Sequence, residues 1–230
     1  VEEVVRYLRR CCATRTAGGY KRRDLTIIHS WQVYLMIAIL AYCPVRQREI
    51  REMELGKTIF REAQSYVVLL EPDDHKTGSF SGKGREFCLP DLLTEDLDEW
   101  LNVWRPKLSP THNRVFMKLQ DPSSAHFKQP YDDSQLSGIV SRNMYRATGI
   151  LFEDPKKTAP HDFRRIAITW QRKYGDRDQD QALAELMGHS VEEANRTYNQ
   201  MSGRDRTAKA RNWWKITQDQ PTDPGRHKGA

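Results

Sequence analysis

The chain has 230 residues, enough for one sizeable core or two small ones without disulfide or metal staples. Its 37 Lys and Arg outnumber 31 Asp and Glu, and the net charge of +6 leans towards polyanionic partners. Four cysteines (Cys11, Cys12, Cys43, Cys88) with no C-x-x-C spacing exclude a zinc ribbon or a disulfide framework, so a reducing cytosol is the default compartment. The longest apolar stretch, Val33 to Cys43, is too short for a bilayer and reads as a buried helix in a soluble protein.

In chain order, residues 2–12 predict a short basic helix, and Gly18-Gly19 marks the turn after it. The first 23 residues carry Arg6, Arg9, Arg10, Arg15, Lys21, Arg22 and Arg23 against Glu2 and Glu3, which strengthens the polyanion reading. The chain opens on Val inside a helix-like pattern, as a fragment of a longer protein would. A long helix is expected from near Leu25 through Ala41. Pro44 ends it, and a second helical run follows from Arg46 to Leu55, because proline removes a backbone donor and disfavours helix at the residue before it. Arg46 therefore starts a helix, beside free N–H groups that favour an anion.

From Lys57 the pattern turns to β-branched and aromatic runs at Thr58-Ile59-Phe60, Tyr66-Val67-Val68-Leu69-Leu70 and Arg85-Glu86-Phe87-Cys88-Leu89, predicting a three-stranded antiparallel sheet. Helices are expected around 91–105, 134–147, 161–174, 179–187, 191–200 and 204–217, with a long connection at 106–133 holding a short strand at Val115-Phe116-Met117. Residues 218–230, rich in Pro, Gly and polar side chains, read as a disordered tail. The fold class expected is α+β, mainly α-helical, with a small three-stranded antiparallel sheet.

The chemically suggestive residues form an ordered set. Arg46-x-x-Glu49 comes first, then Lys76 in His75-Lys76-Thr77-Gly78, His161-x-x-Arg164, Gly188-His189, and Tyr198 nine residues after His189. A tyrosine attacks a phosphodiester only if cations neutralise the phosphorus centre and a proton donor meets the leaving oxygen, since an unperturbed phenol ionises near pH ~10. The planar, permanently charged guanidinium forks of Arg46 and Arg164 match the two non-bridging oxygens. Each motif alone is weak. Surface salt bridging is the alternative for the arginines, with Arg48, Arg51 and Arg165 as off-by-one rivals, and core packing is the alternative for a lone tyrosine.

The set resembles the catalytic domain of the tyrosine recombinase, or phage integrase, family in order and approximate spacing over most of the chain. The resemblance implies a helical catalytic domain over residues 1–217, with 1–24 as a basic N-terminal helix and linker and 204–217 as a C-terminal helix. It implies site-specific cutting and rejoining of double-stranded DNA through a covalent 3′-phosphotyrosine on Tyr198, in DNA recombination or integration by a mobile element. Arg46, Arg164 and His189 would act on the phosphate, His161 would contact the phosphate or Tyr198 in a proton-transfer role, Glu49 would brace a cation, and Lys76 would protonate the departing 5′-oxygen. Lys83, between Gly82 and Gly84, is the alternative lysine, because the hairpin here is longer than in compact members. No metal and no cofactor is implied. Self-association on paired DNA sites would run through the 204–217 helix, whose adjacent Trp213 and Trp214 point about 100° apart. Members of the family usually carry an additional N-terminal clamping domain, which here is either on a further segment or absent, and the implied location is cytoplasmic, on the nucleoid in a prokaryote. The alternatives are a type IB topoisomerase and a catalytically silent DNA-binding module of the same fold.

Overall fold

A computed structural model describes residues 1–74, 82–132, 135–176, 179–188, 190 and 193. The fold is built round one helix. Helix α1 (Glu2–Arg10) leads through the Gly18-Gly19 turn to α2 (Asp24–Tyr42), which packs against α1 and against two later helices, α5 (Gln135–Phe152) and α6 (Pro160–Tyr174). Every residue from Trp31 to Leu40 is buried, so this stretch of α2 has no face open to water. At 19 residues it is long and apolar enough by length and composition to cross a membrane, unlike the shorter Val33–Cys43 run taken from sequence, yet here it is a core helix enclosed by others. Its one buried amide is fully used: Gln32 donates to Met117 O at 2.8 Å and Tyr131 Oη at 2.7 Å, and accepts from Met117 N at 2.9 Å.

Part of the basic N-terminal segment is structural. Arg9 donates to Asp96 at 2.8 Å and its guanidinium lies 4.3 Å from the centre of the Trp31 ring, tying α1 to α2 and to α4 (Thr94–Glu99). Arg22 caps the carbonyls of Cys11 and Ala13. All four cysteines are free thiols.

Pro44 ends α2 as expected, but α3 is only Gln47–Arg51 instead of running to Leu55. Residues 53–55 leave the helix to pair elsewhere: Val115 N donates to Met53 O, Glu54 bridges Arg114, and Leu55 N donates to Asn113 O. The same pairing replaces the strand expected at Val115-Phe116-Met117. Only an isolated bridge forms, and the three side chains are fully buried beneath α2.

The sheet follows: β1 (Ile59–Glu62), β2 (Ser65–Leu70) and β3 (Arg85–Cys88) pair antiparallel in the order β1-β2-β3, with Leu70 opposite Arg85. The single helix expected at 91–105 is a run of changing pitch reaching Leu108: a 3-10 turn, α4, a π turn at Trp100–Trp104 and a second 3-10 turn across Pro106, which has no N–H for an α-helical bond. α5 runs five residues beyond the expected end, to Phe152, with Leu136, Ile139, Val140, Met144 and Ala147 on its buried face. α6 is succeeded by α7 (Gln179–Met187), which packs on it. The helices expected at 191–200 and 204–217, and the tail, lie outside the described residues apart from Glu193.

Candidate functional site

Arg46 precedes the first residue of α3 in an extended conformation (φ −75°, ψ 147°). Its backbone N–H donates to Glu49 Oε2 at 2.9 Å, the reach-back bond of an acidic third residue at a helix start. That bond fixes the arginine's backbone. Its side chain crosses to the far end of the chain, where Nη2 donates to Gly188 O at 2.9 Å, while Nη1 lies 3.5 Å from Glu49 Oε1.

α6 opens on Pro160, a residue suited to the first helical position because the N–H it lacks has no partner there. Asp162 Oδ2 accepts from Ala159 N at 2.8 Å and closes the same start. His161 is exposed in this first turn, and Arg164, three residues on, is 3% exposed. Arg164 donates through Nη1 to Pro44 O and through Nη2 to Met187 O, each at 2.7 Å. Desolvation, then the positive charge of Arg164, hold the His161 imidazole below its ordinary value of 6.5.

α7 closes in the left-handed turn that favours glycine: Gly188 has φ +68° and donates to Glu185 O at 2.8 Å. The last carbonyls of a helix have no amide partner and carry the negative end of its dipole. Three guanidiniums from three other elements meet three consecutive carbonyls here. Arg85 of β3 donates to Leu186 O at 2.7 Å, Arg164 of α6 to Met187 O, and Arg46 to Gly188 O.

Glu49, 1% exposed, presents Oε1 to both the Arg46 and the Arg85 guanidiniums. Its charge and burial together push the neighbouring Cys43 thiol up to about 12, burial contributing most, so Cys43 is an inert packing residue. The off-by-one rivals go elsewhere: Arg48 and Arg51 pair with Glu52, and Arg165 lies 3.7 Å from Asp162.

Lys83 is exposed on the loop between β2 and β3, two residues before Arg85. Lys76, His189 and Tyr198 lie outside the described residues. Tyr145 and Tyr174, the nearest other tyrosines in sequence, are 45% and 66% exposed on α5 and α6. Among the described residues no group of three or more His, Cys, Asp or Glu is gathered as for a metal ion.

Two solved structures are similar to this chain in fold. One is the XerH site-specific recombinase bound to a palindromic difH substrate in a post-cleavage complex, 17% identical, with a TM-score of 0.62 over 93% of this chain and 51% of that one. The other is XerH bound to difH in a pre-cleavage complex, 16% identical, with a TM-score of 0.56 over 92% of this chain and 52% of that one. The fold is that of a tyrosine recombinase catalytic domain. The chain spans about half the length of these recombinase chains. No protein-family model matches the sequence, and no curated protein does.

Within this recombinase fold, Arg85 is the site residue that sequence reading passed over as one member of a strand. The signal was its alternation. β3 runs half-buried, exposed, buried, exposed, so Arg85 shares the inward face with Phe87, over whose ring its guanidinium lies at 5.3 Å. An inward arginine on a short strand needs a buried partner, and Glu49 is that partner.

Proposed function

We propose that the chain is the catalytic domain of a site-specific DNA recombinase, acting on double-stranded DNA by transesterification with Tyr198 as nucleophile. The observation that carries the reading is the meeting of Arg46 and Arg164, far apart in sequence, on the successive carbonyls of Gly188 and Met187. These two guanidiniums would sit directly before His189, in the segment that leads to Tyr198. DNA binding is proposed on the same basis, since both neighbouring structures are recombinase–difH complexes.

In the proposed reaction the Tyr198 oxygen attacks the scissile phosphorus. A new tyrosyl O–P bond forms to the 3′-phosphate as the P–O5′ bond breaks. The phenol gives up its proton to a nearby base, for which the neutral imidazole of His161 is suited. Lys76, or Lys83 in its place, supplies a proton to the departing 5′-oxygen. One phosphodiester is exchanged for another, so religation to a new 5′-hydroxyl needs no external energy. Arg46 and Arg164 stabilise the extra negative charge of the pentacoordinate state, and His189 would add a hydrogen bond. Positive charge comes from side chains, so cleavage is expected to proceed in excess EDTA.

The deciding experiment is covalent trapping on a nicked duplex that loses its short 5′ product. The wild type is expected to form a protein–DNA adduct that maps to Tyr198. Tyr198→Phe is expected to lose the adduct and to keep duplex binding. An adduct that survives in Tyr198→Phe moves the nucleophile elsewhere, and no adduct in the wild type leaves the silent DNA-binding module. The 204–217 helix is proposed to pass to a neighbouring protomer on paired sites, which sizing of the full chain and a truncation after Gly203 on two-site DNA would test.

A further inference from the structure

Arg85 stands where three parts of the fold meet. Its Nη1 contacts Glu49 Oε1 in α3, and its Nη2 donates to Leu186 O at the end of α7 at 2.7 Å. Its own backbone begins β3, two residues after Lys83. The start of that strand is fixed hard against β2: a Cβ added at Gly84 would lie 2.8 Å from Leu70 O, so only glycine lets the two backbones approach. The Arg85 side chain is 12% exposed and its guanidinium lies over the Phe87 ring.

Charge gives Arg85 a second task. A buried Arg46–Glu49 pair on its own would be neutral, and a neutral pair is a poor anion clamp. With Arg85 on the same carboxylate oxygen the trio carries one net positive charge, and the Glu49 carboxylate is shared instead of held by Arg46 alone.

We propose that Arg85 is a positioning residue for strand cleavage: it offsets the charge of Glu49 so that the charge of Arg46 remains available to a phosphate, and it pins the end of α7 at the Leu186 carbonyl. This rests on the recombinase reading. An arginine is required because only a fork spans a carboxylate on one element and a carbonyl on another, whereas lysine supplies the charge from a single point.

The experiment measures single-turnover covalent complex formation at saturating nicked duplex for wild type, Arg85→Ala and Arg85→Lys, with the duplex Kd and the thermal midpoint of each. Arg85→Ala is expected to slow cleavage by about tenfold or more, and Arg85→Lys to fall between it and wild type, with Kd within about threefold for both. Arg85→Lys keeps the charge on Glu49 and serves if the alanine variant does not fold. Cleavage by Arg85→Lys within about twofold of wild type overturns the proposal, as does a rate loss matched by equal losses in Kd and thermal midpoint, the mark of a purely structural role. If the wild type forms no covalent complex, the recombinase reading falls and takes this proposal with it. A wild type that traps normally beside unaffected Arg85 variants overturns this proposal alone.

Discussion

Arg46 and Gly188 lie 142 positions apart in sequence and are joined by a 2.9 Å hydrogen bond from guanidinium to carbonyl. The bond is possible because Gly188 has no side chain. A Cβ there would come within 2.8 Å of Arg85 Nη1 and 2.9 Å of Arg46 Nη1, and the backbone sits at φ +68°. Gly188→Ala therefore combines a left-handed strain of about 1–3 kcal/mol with displacement of two guanidiniums. The expected outcome is a lowered thermal midpoint together with a loss of covalent complex larger than the loss of duplex binding. Normal cleavage by this variant would mean that the Arg46 guanidinium does not have to occupy this place.

Glu49 offers a second measurement, because its charge and its shape can be removed separately. Glu49→Ala leaves the Arg46 and Arg85 guanidiniums facing each other across a site that is largely closed to water, and is expected to destabilise the fold by about 3 kcal/mol. Glu49→Gln keeps an oxygen able to accept from the Arg46 N–H and is expected to cost less than half of that. Denaturant unfolding of the two variants checks the order. Equal losses would mean that the carboxylate's charge, which both variants lack, accounts for the whole effect and that the oxygen retained in Gln contributes nothing.

The legible part of this chain was local. Pro44 marked the end of α2, β-branched and aromatic runs marked the strands, and the helix expected at 161–174 falls within one residue of α6, because each signal acts within a few residues. The ordered motifs named Arg46, Glu49 and Arg164 as candidates. What they touch was not legible, since the partners are backbone carbonyls of Pro44, Met187 and Gly188, and every residue carries a carbonyl. Arg85 escaped for a related reason: its partner, Glu49, lies on a different element 36 positions away. The shortening of α3 was a tertiary effect as well, with residues 53–55 drawn off by pairing to 113–115 against whatever helix preference they have.

His161 supplies a pH dependence of fixed sign. Its folded-state value is lowered from 6.5, by desolvation first and by Arg164 second. The unfolded chain therefore binds the proton more readily. Whatever stability the neutral ring contributes is present above the unfolded value of 6.5 and is lost as pH falls from there through the lowered folded-state value. An NMR titration of the ring is expected to give a midpoint below 6.5, and the acid limb of the cleavage rate is expected to follow that midpoint if His161 accepts the tyrosine's proton. A midpoint at or above 6.5 contradicts the first statement, and an acid limb that persists in His161→Gln contradicts the second.

The two candidate lysines can be separated by the chemistry of the leaving group. Lys83 sits on the stretch fixed by Arg85 and Gly84, whereas Lys76 comes seven positions earlier in sequence, in His75-Lys76-Thr77-Gly78. An alkoxide leaves only when protonated, but a thiolate leaves without help, so a 5′-bridging phosphorothiolate bypasses the need for a general acid. If Lys76 is the acid, Lys76→Ala slows cleavage of the ordinary phosphodiester by about a hundredfold and recovers on the phosphorothiolate, while Lys83→Ala stays within about threefold of wild type on both. The reverse pattern transfers the role to Lys83. Slow cleavage that fails to recover on sulfur would show that the lysine acts on the phosphate itself, in the same way as Arg46 and Arg164, and not on the leaving oxygen.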